Sequence, residues 1–329
     1  MIRPAPKAAR AALAACAATL ATAGGAWAQA SCDDVVITEM DWASSAIVTN
    51  VAVFLMEQGY GCDVQVVPSS TTPAMVSVAE TGRPDIVTEV WPNGNPAYDS
   101  LVAEGRIETV ADVLSDRSVQ GWYLPTSLVD AHPELATLEG ILANPGLVGG
   151  RLHSCPDGWQ CKETTEAIAR AAGLPEAGIE VFQHGSGETL AASMASAVEA
   201  GEPWLGYYWE PTGLLGKYAM TKVDLGAFDE EAWNCIVDPE CPGEEMTSYA
   251  STPVVTVVTT TFAEDHPELY ELMSNVAFTN AQMGAVLSWQ EENAASAEEA
   301  AVHFLTEYRD VWPAWLSEDA RANLAALID

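Results

Sequence analysis

The chain has 329 residues, 49% of them apolar, and its 47 acidic side chains outnumber 13 basic ones, which gives a formal net charge of −34. This charge excludes a nucleic-acid-binding protein, which needs clustered Lys and Arg for its phosphate contacts, and argues against docking on anionic lipid. The apolar content and the 11 Trp residues exclude a disordered chain. No apolar run after residue 30 approaches the ~20 residues that span a bilayer, so the sequence predicts a soluble globular protein large enough for two lobes.

The first 30 residues have the pattern of a secretory signal peptide. They contain no acid, and an alanine-rich run follows the basic residues Arg3, Lys7 and Arg10. The run closes on Ala28-Gln29-Ala30, a small-x-small sequence typical of a signal-peptidase site. We therefore predict a signal peptide over residues 1–30 and a periplasmic mature protein.

A second interpretation places a lipid on Cys16, because Leu13-Ala14-Ala15-Cys16 resembles a lipoprotein box. Only five residues separate Arg10 from Cys16, whereas the apolar core of a leader has about 7–15. This spacing favours cleavage after Ala30.

Six cysteines follow the leader, and an even number in an exported chain is typical of disulfides. They are Cys32, Cys62, Cys155, Cys161, Cys235 and Cys241. The spacing suggests the local pairs Cys155–Cys161 and Cys235–Cys241, which leaves Cys32–Cys62 as the third, although about 15 connectivities are formally open. Zinc is the alternative, but each short pair has five intervening residues instead of the two of a zinc knuckle, and only His153 lies near.

Strands and helices alternate along the first part of the mature chain. The apolar spacing predicts strands at Val35–Thr38, Asp63–Val67 and Asp85–Val90, and helices at Ser44–Gly59 and Thr72–Gly82. This βαβαβ order implies a parallel sheet with helices on its faces. Ligands of such sheets bind just beyond the carboxyl ends of the strands.

The alternation then repeats after a crossing strand. We predict strands at Trp122–Pro125, Gly150–Ser154, Ile179–Gln183, Trp204–Trp209 and Val254–Thr260, helices at Glu163–Ala172 and Gly187–Ala200, and finally helices at Pro267–Phe278, Asn280–Gln290, Ala295–Tyr308 and Glu318–Ile328. This order predicts an α/β fold of two lobes joined by crossing strands. Residues 31–120 would begin lobe 1, residues 121–250 would form lobe 2, and residues 251–329 would return to lobe 1 with C-terminal helices.

Aromatic residues mark the edge of the predicted sheets. Trp42, Trp91 and Trp209 lie at or just beyond the C-terminal ends of strands, and Trp122 and Tyr123 lie on the crossing strand. Several rings that meet in a cleft bind a quaternary ammonium group through cation–π attraction, at about 0.5–2 kcal/mol per contact. We therefore predict that these five residues bind ligand.

The remaining tryptophans are predicted to fill the core, as Trp usually does. They are Trp204, Trp233, Trp289, Trp312 and Trp315. Trp159 lies inside the segment between Cys155 and Cys161, and we assign it no ligand role.

Acidic residues accompany the rings. They are Asp41 before Trp42, Glu89 two residues before Trp91, and Glu210 after Trp209. A carboxylate there would attract a cationic ligand or accept a hydrogen bond from its hydroxyl, and we include Asp41 and Glu210 among the candidate binding residues. A chain with 47 acids also places some of them beside any residue by chance, and both interpretations stay open.

Two serines open predicted helices near these segments. Ser44 lies at the start of the first helix, and Ser186 precedes the helix that begins at Gly187. Free N–H groups at a helix N-terminus suit the carboxylate of a zwitterionic ligand, so both serines are candidate binding residues. Ordinary N-capping is the alternative explanation at each site.

The sequence lacks catalytic motifs. Ser186 lies in His-Gly-Ser-Gly-Glu, but a nucleophile elbow needs Gly where this chain has His184 and Glu188. The five His residues have no metal-binding spacing, and no phosphate loop or dinucleotide fingerprint occurs. We predict no enzyme activity, no cofactor and no metal site; a secreted hydrolase and an acidic module that binds proteins or cell wall are the alternatives from other classes.

Five segments, ordered along the chain, resemble the glycine betaine/choline-type substrate-binding proteins of ABC importers. They are Asp41-Trp42, Gly59-Tyr60, Asp85-Ile86-Val87-Thr88-Glu89-Val90-Trp91-Pro92, Gly185-Ser186 and Tyr208-Trp209-Glu210-Pro211. The likeness spans most of residues 35–260. It implies a type II-like periplasmic-binding-protein fold, in which each lobe is a mainly parallel sheet flanked by helices and the ligand lies in the interlobe cleft.

The resemblance also implies an aromatic box around a methylated onium head group. Trp42, Trp91 and Trp209 match the box by context, and Trp122 or Tyr123 is the candidate for a fourth wall. The expected ligand is glycine betaine, with choline, trimethylamine N-oxide, carnitine or a sulfonium analogue as alternatives. The expected partner is an ABC permease in the membrane, with no nucleic acid and no direct membrane insertion.

Overall fold

The computed structural model describes residues 32, 34–92, 94–238, 241 and 245–328, except for the side chains at positions 118, 252 and 328. The predicted signal peptide and Cys16 lie outside the described residues. Within the described part of the chain, helices and strands alternate and build two sheets.

The two sheets share one long strand. The strands are β1 (Val35–Met40), β2 (Val64–Ser69), β3 (Ile86–Val90), β4 (Ile107–Pro125), β5 (Arg151–Ser154), β6 (Glu180–Gln183), β7 (Gly206–Glu210), β8 (Met220–Lys222) and β9 (Thr252–Thr259). The first sheet has the order β2-β1-β3-β9-β4, and the second has the order β4-β7-β5-β6 with β8 also paired to β4.

Strand β4 carries the chain from one sheet to the other. It pairs antiparallel with β9 as far as Ser118 and with β7 from Val119 onward. The parallel pairs lie away from this crossing: β1 pairs with β2 and β3, and β5 pairs with β6 and β7. The predicted two-lobed α/β architecture is confirmed, and the antiparallel pairs come from the strands at the centre.

Most of β4 was not predicted. The residue pattern predicts a crossing strand only at Trp122–Pro125, which is the last part of the observed strand. Three shifts in the register with β9, between Thr109 and Ser118, break the alternation of inward and outward side chains. Because a strand is recognised by that period of two, the irregular half left no clear pattern.

Helices flank both sheets. Within the described residues they are α1 (Ala43–Tyr60), α2 (Thr71–Thr81), α3 (Pro96–Ala103), α4 (Thr126–Ala131), α5 (Leu138–Ala143), α6 (Cys161–Ala171), α7 (Gly187–Ala200), α8 (Gly213–Lys217), α9 (Glu230–Val237), α10 (Thr260–Asp265), α11 (Pro267–Asn275), α12 (Asn280–Asn293), α13 (Ala297–Glu307), α14 (Glu318–Asn323) and α15 (Ala325–Ile328). Short 3-10 turns occur at Pro133–Ala136, Pro145–Val148 and Trp312–Trp315. The two helices and three strands predicted before residue 91 are confirmed within two residues at each end.

Each sheet has its own hydrophobic core. On one face of the first sheet, α1 packs against the C-terminal helices α11 to α14, and this core includes the predicted core residues Trp312 and Trp315. The core of the second sheet contains Trp204, again as predicted, together with apolar residues of α6 and α7. The C-terminal helices therefore stabilise the lobe in which the chain began.

Three disulfides join the cysteines that the spacing paired. Cys32–Cys62 links the start of the chain to the segment after α1, and Cys155–Cys161 closes the loop between β5 and α6. Cys235–Cys241 closes the segment at the end of α9. All three predicted pairs are confirmed.

Candidate functional site

A cavity of about 500 Å³, including the solvent at its mouth, lies between elements of both lobes. Its walls are mostly aromatic and come from Trp42, Trp91, Trp159, Tyr207, Trp209 and Trp233. The other lining residues are Thr71, Gln120, Gln160, Cys161 and Thr164, so none of the described residues that line it carries a charged side chain. Such a cavity offers ring faces and a few polar groups to a small ligand.

Three of these indoles form the centre of the wall. The Trp159 ring centroid lies 5.4 Å from that of Trp42 and 5.2 Å from that of Trp209. The corresponding interplanar angles are 76° and 83°, so both contacts are edge-to-face. This packing leaves the rings in several orientations around one space, and the faces of the rings carry the negative part of the aromatic quadrupole.

Trp42 is positioned by the junction of β1 and α1. It occupies the N-cap of α1 with extended backbone angles (φ −139°, ψ 154°), so its side chain leaves the helix axis. Its indole Nε1–H donates to Oε2 of Glu89, and Ser44 Oγ donates to the same oxygen over 2.9 Å. The first bond ties the ring to the end of strand β3, and the second holds the acceptor carboxylate.

Glu89 is a buried acid in an unusual backbone conformation. Its side chain has no exposed surface, and its φ of +50° lies in the left-handed region that L-residues rarely adopt. The register of β3 with β9 shifts between Val87 and Val90, so Glu89 lies in an irregular part of the pairing. Burial raises the pKa of the Glu89 carboxyl to about 7, although the hydrogen bonds from Trp42 and Ser44 act in the opposite direction.

Trp159 connects the two lobes. Its Nε1–H donates to Asp41 Oδ1 over 2.7 Å, and the backbone N–H of Thr72, in α2, donates to the carbonyl of Gly158 over 3.1 Å. The loop closed by Cys155–Cys161 therefore reaches from the second lobe to the first. Loss of solvent raises the pKa of Asp41, and the hydrogen bond from Trp159 partly offsets this effect.

The cavity brings together three of the five aromatic residues predicted to bind ligand. Trp42, Trp91 and Trp209 all line it. Trp122 and Tyr123 do not: both lie in the core of the second lobe, where Trp122 Nε1 donates to Tyr249 Oη over 3.0 Å. Their side chains are occupied in packing, because β4 passes through the middle of the sheet at this point.

None of the predicted polar residues lines this cavity. Ser44 bonds to Glu89, and Glu210 accepts a hydrogen bond from Tyr123 Oη over 3.0 Å. Ser186 caps α7 in a reciprocal pair with Thr189, which is the ordinary N-capping explanation. Asp41 accepts a hydrogen bond from Trp159 and so helps to hold that ring in the cavity wall.

A second, wider space of about 1050 Å³, including open solvent, borders the same three indoles of Trp42, Trp159 and Trp209. Its other lining residues include the acids Asp41, Glu188 and Glu291. Negative charge therefore lies on the solvent side of the aromatic cluster, where it favours the approach of a cation.

Three aromatic lining residues lie outside the predicted binding set. Trp159 and Tyr207 are not among the predicted ligand-binding residues, and Trp233 is predicted to fill the core, where it does lie as well as lining the cavity. A signal for Tyr207 was present, because residues two apart on a strand share a face and Tyr207 lies two before Trp209. A signal for the helix that carries Trp233 was also present: Asp229 is a favourable N-cap, and Trp233 and Ile236 have helical spacing.

Two features of the described residues concern membrane spanning and metal binding. No helix in this part of the chain is long and apolar enough to cross a membrane. No group of three or more His, Cys, Asp or Glu side chains there is arranged to hold a metal ion.

Three solved structures of similar fold are substrate-binding proteins. A glycine/betaine/L-proline-binding protein (ProX) from Borrelia burgdorferi matches with a TM-score of 0.72 and 16% identity, over 90% of this chain and 99% of that one. A choline-binding protein of an ABC transporter, in complex with choline, matches with a TM-score of 0.71 and 17% identity, over 90% and 98%. Lactococcal OpuAC in its closed form with glycine betaine matches with a TM-score of 0.68 and 17% identity, over 86% and 99%.

The family comparison covers most of the chain. Residues 33–307 match the family described as OpuAC, substrate binding domain of ABC-type glycine betaine transport system. Its members are extracytoplasmic transport components that work with an ABC permease, and the family is not one of enzymes. On this match, and with the two-lobed fold that the solved structures share, the chain belongs to the family of substrate-binding domains of ABC-type glycine betaine transport systems.

Proposed function

We propose that this protein captures a methylated onium solute in the periplasm, with glycine betaine as the expected ligand, and delivers it to an ABC permease. The observation that carries the proposal is the cavity between the lobes, whose described lining residues include six aromatic side chains and no charged one. A permanently methylated cation cannot donate hydrogen bonds, so ring faces suit it better than carboxylates do. The rings come from both lobes, so the complete cavity requires the lobes to be together.

The rings can supply a large part of the binding free energy. Each cation–π contact contributes about 0.5–2 kcal/mol, with the higher values in desolvated sites. Contacts to Trp42, Trp159 and Trp209 would thus account for several of the roughly 8 kcal/mol that micromolar affinity requires.

Two helix N-termini support a ligand that also carries a carboxylate. Helix α2 begins at Thr71 and helix α6 begins at Cys161, and both residues line the cavity. The positive dipole end of a helix favours an anion, although at α2 the Thr72 N–H already donates to Gly158 and Pro73 has no N–H. A zwitterion such as glycine betaine would place its ammonium among the rings and its carboxylate toward these helices. The same rings could bind the other candidate ligands, which are choline, trimethylamine N-oxide, carnitine and sulfonium analogues. These ligands differ from glycine betaine in the group that they would place toward the helix ends.

Calorimetric titration of the mature protein with glycine betaine, choline, trimethylamine N-oxide, carnitine and glucose tests the proposal. We expect saturable binding of a methylated onium compound, no binding of glucose, and recovery of the ligand chemically unchanged. Trp209→Ala should weaken binding by about tenfold or more, since one buried ring contact is worth up to about 2 kcal/mol. The matched control is Trp289→Phe, because Trp289 stacks on His303 away from the cavity. If the folded wild-type protein binds none of the onium compounds, the proposal is wrong, and turnover of a ligand would favour the hydrolase.

A further inference from the structure

Glu89 is a buried carboxyl group without a positively charged partner among the described residues. An ionised carboxylate is costly to bury unless it is paired, so this group needs either a proton or a cation. Its Oε2 accepts the bonds from Trp42 and Ser44, whereas its Oε1 has no hydrogen-bond partner among the described residues. Only one of the two carboxylate oxygens therefore has hydrogen-bond partners among the described residues.

The elements around Glu89 bring no positive charge to its carboxyl group, since Arg83 pairs with Asp85 and Arg117 donates to Ser251. Strand β9 has no titratable residue, and Glu39 of β1 accepts a bond from Asn50 of α1. The remaining titratable or charged groups on these elements are Glu57 and Tyr60 on α1, Asp85 beside β3, which pairs with Arg83, and Glu108, Asp112, Asp116, Arg117 and Tyr123 on β4. Within the described chain, the Glu89 pKa responds to burial and to its two hydrogen bonds, and to no charged side chain.

Glu89 is coupled to the cavity through the Trp42 ring. The indole Nε1–H points to the carboxylate, while the ring itself lines the cavity. A hydrogen bond from an N–H group to an anion polarises the donor, and hydrogen-bonded groups in a low-dielectric interior polarise one another. An ionised Glu89 thus makes the Trp42 ring more electron-rich and increases its attraction for a cation on its face.

We propose that Glu89 is a specificity-determining residue: its ionised carboxylate selects a cationic ligand through Trp42, and ligand binding expels the Glu89 proton to solvent. This inference rests on the proposed function, since it requires an onium ligand in the aromatic cavity. Burial holds the pKa of Glu89 at about 7 in the unliganded protein, so a fraction of the molecules is protonated near neutral pH. A nearby cation favours the ionised form and lowers that pKa. By linkage, affinity rises with pH until Glu89 is ionised in the free protein as well.

The test is calorimetric titration from about pH 6 to pH 8 in two buffers of different ionisation enthalpy. The ligands are glycine betaine and choline, which do not titrate in this range, and their carbon isosteres 3,3-dimethylbutanoate and 3,3-dimethylbutan-1-ol, which lack the cationic nitrogen. For the onium ligand that binds, we expect release of a fraction of one proton near pH 7. The affinity should rise by at most about tenfold per pH unit below pH 7 and level off near pH 8. The isosteres should release no proton.

Glu89→Gln keeps the size of the side chain and an acceptor for Trp42 but cannot ionise. It should abolish the proton release and reduce the preference for the onium ligand over its isostere several-fold. Glu57→Gln removes one negative charge from the same lobe, at the far end of α1, and should behave as the wild-type protein.

The outcomes separate this inference from the proposed function. If the wild-type protein binds no onium compound, the proposed function itself fails. If it binds one, but the binding enthalpy is the same in both buffers and the affinity does not change with pH, the Glu89 inference is overturned while the proposed function stands. The buffer comparison needs only the wild-type protein, so it decides the question even if Glu89→Gln does not fold.

Discussion

One residue beside the aromatic cavity, Glu89, is held in a backbone conformation that L-residues rarely adopt. Glu89 has a positive φ without being glycine, and it is buried with one carboxylate oxygen unbonded among the described residues. Such backbone conformations cost of order 1–3 kcal/mol each, and they occur where the contacts around the residue hold it in place. Here the surrounding contacts are the bonds from Trp42 and Ser44, so the disfavoured conformation places a carboxylate directly behind a cavity ring.

The raised pKa of Glu89 predicts how protein stability depends on pH. The folded state holds the Glu89 proton up to a pKa of about 7, whereas the unfolded state releases it near the ordinary glutamate pKa of 4.5. Between these values the folded state binds more protons, so the Glu89 contribution to stability is lost as the pH rises toward 7. The loss is at most about 1.4 kcal/mol per pH unit. The unfolding free energy of Glu89→Gln should therefore increase relative to that of the wild-type protein from about pH 5 to pH 7. Above pH 7 the difference between the two proteins should stay constant.

Urea unfolding of both proteins at about pH 5, 6, 7 and 8 without ligand measures this difference. A free-energy gap that stays constant across the series would contradict it. Glu57→Gln serves again as the control, because it removes the same charge from the same lobe.

At the scale of elements, the site depends on how the loop closed by Cys155–Cys161 fits against the start of α7. Trp159 lies on this loop between the rings of Trp42 and Trp209. Gly187 opens α7, and a Cβ atom there would lie 2.8 Å from the Trp159 ring. The absence of a side chain at position 187 therefore leaves the space that Trp159 occupies. From the sequence, Gly187 is predicted only as the start of a helix. Close approach between distant segments of the chain leaves no local pattern.

Gly187→Ala should weaken onium binding by several-fold or more, because the new methyl group displaces the Trp159 ring from the cavity wall. Protein stability should fall by about 1–3 kcal/mol, since the methyl group overpacks against a buried ring and Gly187 is the first residue of α7, where the helix preference of Ala offsets little. Gly185→Ala is the matched control, two residues earlier, where a Cβ atom would meet nothing within 4 Å. Titration calorimetry and thermal unfolding of both variants measure the two effects. Equal affinities for Gly187→Ala and Gly185→Ala would show that Trp159 does not need this space.

At the scale of the whole molecule, few segments connect the lobes. Strand β4 leaves the first sheet at Ser118, and the chain returns to it at Thr252. Rings from both lobes line the cavity, and the bonds from Trp159 to Asp41 and from Thr72 to Gly158 also cross between the lobes. A ligand that contacts both lobes at once shifts the population toward the closed form by as much as it prefers that form.

We expect an onium ligand to raise the melting temperature and to reduce the radius of gyration of the mature protein. At 100 times its Kd the ligand stabilises the folded state by about 2.7 kcal/mol, which corresponds to a shift of several degrees. Trp42→Ala should lose most of both responses, because it removes a first-lobe ring from the cavity. Thermal unfolding and small-angle X-ray scattering, each with and without ligand, provide the measurements. A ligand that binds without compaction would contradict closure.

The early elements and part of the site could be predicted because their signals are local. The strands and helices before residue 91 have regular apolar periods, and Trp42, Trp91 and Trp209 follow strand ends directly. The irregular half of β4 lacks such a period, and α9, which carries Trp233, has helical apolar spacing over only eight residues, so neither element is predicted. Trp122 and Tyr123 were predicted to bind ligand because they lie on a crossing strand, but whether that strand faces a cleft or a core depends on its neighbours.

The sequence by itself determined the class of the protein: an acidic α/β chain with six cysteines spaced for three disulfides and with tryptophans at strand ends, in the pattern of one family. These features follow from composition, spacing and short-range order. Only the tertiary structure decided which rings share one cavity, that Trp159 bridges the lobes to Asp41, and that Glu89 lies buried behind Trp42. The physical reason is that these contacts join residues 47 and 118 positions apart, and such pairs are set by the packing of whole sheets and helices.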